Sequence, residues 1–153
     1  MGDQLMVNRR YQQVRPRSEM MLLPQFLEIC LAEDSPVRVI DEFVDALDLA
    51  ALGFRHTDAY SGAGQPAFEP ALLLKLYLYG NLHRVQSSRR LAAEARRNVE
   101  VKWLCQEAAP SYRTIAGFLK HNETALRAVN RQFADLCRDF PLICSSSVAH
   151  DGC

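Results

Sequence analysis

PALLLKLYLYGNLHRVQSSRRLAAEARRNVEVKW, residues 70–103, joins an apolar segment to an arginine-bearing one. In its first half Leu72, Leu73, Leu74, Leu76, Tyr77, Leu78, Tyr79 and Leu82 fall on every side of a helix, interrupted by Lys75 and Gly80. A helix that is apolar all round has no face to turn to water, so it belongs inside a bundle. After His83, Arg84 and Val85 comes the polar run Gln86, Ser87, Ser88. A serine there can accept a bond from a free backbone N–H and start a second helix after a short connection.

The second helix carries its charge on one face. At about 100° per residue, and with Arg89 at zero, Arg96 falls at roughly −20°, Arg97 near 80° and Arg90 near 100°, while Leu91 and Ala95 lie around 200 to 240°. The small apolar side therefore docks on the leucine-rich helix and the guanidinium groups face away from it. Charged helix exteriors are ordinary. Here, however, only Glu94 stands near enough to neutralise the arginines, which points to a surface that follows phosphates.

At 153 residues the chain has length for one domain with a real core and a stub beside it. Formal net charge is zero, so bulk charge names no partner. The distribution is uneven: Glu28, Glu33, Asp34, Asp41, Glu42, Asp45, Asp48 and Asp58 face only Arg38 and Arg55 between residues 28 and 58. From Lys75 to Lys102 the order inverts, with Arg84, Arg89, Arg90, Arg96 and Arg97 between them against Glu94 and Glu100. Such a chain can bind a polyanion through one face. Five widely spaced cysteines without a CxxC indicate reduced thiols, with Cys30, Cys105 and Cys137 as small core residues. The scattered histidines make no metal-binding pattern with them. With no apolar run of about 18 residues and no basic-then-apolar start, the expected location is the cytoplasm and no membrane is involved.

In chain order, residues 1–18 are polar, hold Arg9, Arg10, Arg15 and Arg17, and read as a flexible basic arm. Met20 to Leu31 is an apolar lead-in with a short helix after Pro24. Val37, Ile40, Phe43, Val44, Leu47 and Leu49 recur at helical spacing. Ser35 and Pro36 suit the start of that helix and Gly53 its stop. Its acids, Asp41, Glu42, Asp45 and Asp48, read as an acidic exterior opposite the apolar stripe rather than as catalytic groups. The stretch from Arg55 to Pro70 is the longest loop, and it lacks any phosphate-loop motif. Val99, Val101, Trp103 and Leu104 continue a helix to near Glu107. Ser111 then caps a helix with Ile115, Ala116, Phe118 and Leu119, a second candidate helix-turn-helix with Arg113 and Lys120 outside. Leu126, Val129, Phe133, Leu136 and Cys137 mark a last helix that Pro141 stops.

Three runs, SPVRVIDEFVDALDLAALGF (35–54), FEPALLLKLYLYGNLHRVQSSRRLAAEARRNVEVKWL (68–104) and YRTIAGFLKHNETALRAVNRQFADLC (112–137), together resemble the N-terminal domain of bacterial insertion-sequence transposases of the InsH-like type, in the DDE transposase superfamily. In that family the helical domain precedes an RNase-H-like catalytic domain, whose first strand holds the first of three metal-binding carboxylates in a phrase like VAIDGT. VAHDGC, residues 148–153, stands at that place, so the resemblance matches Asp151 to the first catalytic aspartate. His150 replaces an apolar strand residue, and Gly117 and Leu119 stand where relatives usually have an acid and a base. The other two carboxylates have no counterpart. The resemblance therefore implies a chain truncated before its catalytic domain, with Asp151 non-functional and the chain catalytically inactive. It implies no cofactor in this chain, although Mg2+ is implied for the full-length family.

The expectation is an all-α, compact multi-helix domain with helix-turn-helix-like units. Residues 1–19 form a disordered basic arm, 20–141 the helical DNA-binding domain and 142–153 a frayed stub of the catalytic domain. The function the resemblance implies is recognition of the terminal inverted repeats of a mobile element in DNA transposition and recombination, at the bacterial nucleoid. The partners are double-stranded DNA and self or full-length transposase. The DNA-facing residues are Arg89, Arg90, Arg96 and Arg97, supported by Arg84, Lys102, Arg113 and Lys120. Two readings from other classes stand beside it: transposase catalysis once a downstream domain completes the site, and a helical protein-interaction domain.

Overall fold

The computed structural model describes residues 30–55 and 68–140, together with Val14. Among the described residues there are six helices and no strand: α1 Pro36–Asp45, α2 Pro70–Leu82, α3 Ser88–Arg97, α4 Val99–Leu104, α5 Tyr112–His121 and α6 Glu123–Asp139. The fold is all-α, as the helical periodicity requires. The expected lead-in segment before Cys30, the middle of the long loop and the stub with Asp151 lie outside the described residues, as does the basic arm except for Val14, which is half-buried against the core.

Pro70 opens α2 at a position where its missing N–H costs no bond. The helix then buries Leu72, Leu73, Leu74, Leu76, Leu78 and Tyr79, and α1, α3, α4 and α5 all pack around it. Leu76, Leu78, Leu91, Trp103, Phe118 and Phe133 belong to one buried cluster, with Phe43 half-buried at its edge. Each such side chain contributes about 1.5–3 kcal/mol by leaving water. The last helix packs mainly on α5. It reaches α1 through the Phe43 and Phe133 rings, 5.2 Å apart, and α2 through Asn81 Nδ2, which donates to Asn130 Oδ1 at 2.9 Å.

The acids of α1 do not all form an exterior. Asp41 is buried, and Lys75 of α2 donates to its Oδ1 at 2.7 Å and reaches Asp45 Oδ1 at 2.8 Å. A buried ammonium has to be paired, so Lys75 belongs to the α1–α2 seam and not to the basic surface suggested by its place in the chain. Only the Asp45 side chain keeps substantial contact with water, at 59% exposure.

Several boundaries differ from the periodic reading, each for a local polar reason. Helix α1 stops at Asp45 instead of running to Gly53. Beyond it Asp48 Oδ1 accepts from Ala51 N–H at 3.1 Å, a turn in which a short acidic side chain competes with the helical backbone. Gly53, at φ +86°, closes that series of turns, while Leu47, Leu49 and Leu52 still pack against the core. Ser35 precedes Pro36 as expected, but its buried hydroxyl makes no capping bond. Cys30 is exposed, and the neighbouring Leu31 takes the core place.

The helix through Val99 is not a continuation of α3. Asn98 breaks it in an extended conformation, ending α3 and capping α4 by accepting from Glu100 N–H at 2.9 Å and, more weakly, from Val101 N–H at 3.4 Å. The amide of Asn98 also donates to Tyr79 Oη at 3.0 Å and to Glu94 Oε2 at 2.8 Å. Helix α4 ends at Leu104, before the expected Glu107, because Gln106 and Glu107 turn the chain at φ +51° and +62°. A second asparagine, the buried Asn122, joins α5 to α6, accepting from Arg55 N–H at 2.7 Å and donating to Phe118 O at 3.0 Å.

Gly80 lets α2 lie directly against the connection that leads into α3. A Cβ there would lie 2.5 Å from the Val85 carbonyl oxygen and 3.0 Å from Leu91 Cδ2. Gly80→Ala is therefore expected to destabilise the domain by about 1–3 kcal/mol through overpacking, read as a lower denaturation midpoint. Lys75→Met should cost about 3–5 kcal/mol, because it removes the ammonium paired with the buried Asp41 carboxylate at 2.7 Å. Adding Asp41→Leu should recover most of that loss in the same urea titration, since a pair of apolar residues carries no desolvation cost.

Candidate nucleic-acid interface

Helix α3 starts where Ser87 Oγ accepts from Arg90 N–H at 3.4 Å, the cap expected from the serine run. Its inner side buries Leu91, Ala92 and Ala95, and Arg89, Arg90, Arg96 and Arg97 are all exposed on the outer side. The face anticipated from the 3.6-residue period is present. Helix α3 packs against α5, which is capped in the same manner by Ser111 Oγ accepting from Thr114 N–H at 3.2 Å.

The supporting cations are dispersed. Arg113, in the first turn of α5, meets the α3 surface through Tyr112: its Nε donates to Tyr112 Oη at 3.3 Å, while the Arg89 guanidinium lies 4.1 Å from the centre of the same ring. Arg84 is exposed on the α2–α3 connection, at φ +59°. Lys102 is half-buried on α4. Lys120 is exposed in the last turn of α5, where a cation favours the helix end, so its position has a sufficient local explanation. Sequence reasoning missed Tyr112. An aromatic directly after a capping serine and beside an arginine was the available signal.

Glu94 is the acid of this face, and its side chain is 18% exposed. Arg97 donates to its Oε1 at 3.0 Å and Asn98 to its Oε2. Burial pushes the carboxyl up, but the bonds from Asn98 and Arg97 and the charges of Arg97 and Arg90 outweigh it and hold the group below its ordinary value. Arg97 is thus partly neutralised. Arg89, Arg90 and Arg96 have no carboxylate partner among the described residues.

The family described as Transposase domain (DUF772) matches residues 25–121, more than half of the chain and the whole of α1 to α5. The chain belongs to the DUF772 transposase-domain family. Its role is accordingly transposase-related. No curated protein and no solved structure matches it. The matched span ends with α5, so the arginine-bearing face lies inside the DUF772 region and α6 follows it. Among the described residues no helix is long and apolar enough to cross a membrane, and no group of three or more His, Cys, Asp and Glu side chains could hold a metal ion.

A carboxyl group whose value is lowered by folding stabilises the fold while ionised. That contribution is complete above the ordinary glutamate value of about 4.3 and disappears as the pH falls through the lower folded value. Glu94→Gln should therefore be less stable than the natural protein at neutral pH by on the order of 1 kcal/mol, the worth of a charge-assisted bond in a partly open site. Urea titrations across the pH range should show this gap closing in acid.

Proposed function

We propose that this DUF772 domain binds double-stranded DNA, at the terminal inverted repeats of a mobile element, through the outer face of α3. The observation that carries the reading is the exposure of Arg89, Arg90 and Arg96 without carboxylate partners among the described residues, on a helix whose opposite side is locked into the core. Phosphate neutralisation by such a face yields affinity through counterion release. Transposase-family membership supports the inverted repeats as the target and DNA recombination as the process served. The helix-turn-helix reading, on the consecutive pairs α2–α3 and α4–α5, belongs to the same proposal. The helical part, over residues 20–141, is proposed as the binding unit.

A second reading has its own observation. Leu82, Phe133, Ala134 and Cys137 line an open, largely apolar groove between the end of α2 and α6, and Phe140 beyond it is exposed. That surface suits contact with a second copy or with full-length transposase.

Duplex binding at increasing salt separates the two. With about four phosphates neutralised, the slope of log K against log salt should be near −3.6, so affinity should fall on the order of a hundredfold between 50 and 200 mM salt. Arg96→Ala should lower that slope by about one while leaving the fold intact. Binding indifferent to salt and to substitutions on α3 would leave the protein-contact reading.

A further inference from the structure

The arginines of α3 are not equivalent. Arg96 and Arg97 occupy the last turn, where the helix end favours a cation, and Arg97 also has Glu94. Arg89 and Arg90 occupy the first turn, where the partial positive charge of the helix opposes them and no acid is present. Arg113 stands in the equivalent place on α5, again with no acid in the first turn. Helix energetics explain Arg96 and Arg97, and they count against Arg89, Arg90 and Arg113.

Two of the three disfavoured cations converge on one ring. The Arg89 guanidinium lies 4.1 Å from the Tyr112 ring centre, while Arg113 lies 5.8 Å from it and bonds the hydroxyl by its Nε at 3.3 Å. Neither guanidinium has a carboxylate among the described residues. A ring attracts an exposed cation only weakly, and two like charges drawn to one side chain repel each other. The cluster is electrostatically incomplete, and the group that completes it is an anion with several acceptor oxygens. A guanidinium fork meets such an anion with two parallel bonds.

We propose that Arg89, Tyr112 and Arg113 form one phosphate clamp at the joint of α3 and α5, gripping a phosphodiester of the DNA backbone, with Tyr112 as the positioning residue. This rests on the DNA-binding reading above. Tyr112 stacks under Arg89 and holds Arg113 by its hydroxyl, so the two forks arrive already aimed. Arg97, tied to Glu94, stays outside the clamp.

The test uses the full chain and a labelled mixed-sequence duplex, followed by fluorescence anisotropy at several salt concentrations. Arg89→Ala and Arg113→Ala should each weaken binding, and because the two forks share one phosphate the double substitution should lower the salt slope by only about one. Tyr112→Leu should weaken binding about two- to fivefold, the worth of an exposed cation–ring contact, and Tyr112→Phe by less. Once both arginines are alanine, Tyr112→Leu should cost nothing further. A loss of equal size in that background would overturn the clamp. Because Tyr112 also packs against the core, Arg89→Lys and Arg113→Lys provide a check that does not touch folding: they keep charge but lose the fork, and wild-type affinity in both would overturn the clamp as well. Salt-sensitive binding that falls with Arg96→Ala but ignores all three clamp residues overturns the clamp alone. Binding that ignores salt and every arginine of α3 overturns the DNA reading and the clamp with it.

Discussion

A helix without a polar side can exist in water only when it is covered all the way round, and α2 imposes that demand on its neighbours. Four other helices pack around it, and only α6 is joined mainly to the periphery. The demand extends to Lys75, which lies in the same enclosure. An ammonium there has to find a carboxylate, and Asp41 turns inward to supply one. The α1–α2 seam is thus held by burial and by a charge pair that burial makes obligatory. Its register is less free to slide than that of a seam of leucines alone, since a shifted helix would strand both charges.

The same pair bears on the charge of the surface. The chain is neutral in sum, yet Asp41 and Asp45 are both engaged by Lys75. On α3 the arginines point outward, and Glu94 meets only part of their charge. A count of acids and bases treats all of them as equally available, whereas burial and pairing select which ones a large charged partner would meet.

The helices themselves were readable because their apolar periods are strong and their starts carry serine or proline: Ser87, Ser111, Pro36 and Pro70 all stand where helices begin. The arginine face was readable because angle along a helix follows from spacing alone. What sequence reasoning missed depends on side chains meeting across distance. Asn98 looks like an ordinary polar residue inside a helical pattern, and its role as a break becomes visible only with Tyr79 beside it. Asp48 closing a turn, Asn122 reaching Arg55, and Lys75 being buried are of the same kind. Tyr112 was passed over because the ring that gathers Arg89 and Arg113 draws them from different helices.

Asn98 leaves no slack between α3 and α4. One residue ends the first helix, begins the second, and is bonded to a tyrosine of the central helix. The direction of the arginine-bearing helix is consequently indexed to the core and cannot swing as an independent arm. The orientational freedom that a flexible attachment would surrender on meeting a rigid duplex is given up here during folding. Such a surface is stiff by construction: it suits a partner of regular, repeating geometry, and it has little capacity to remould itself around an irregular one.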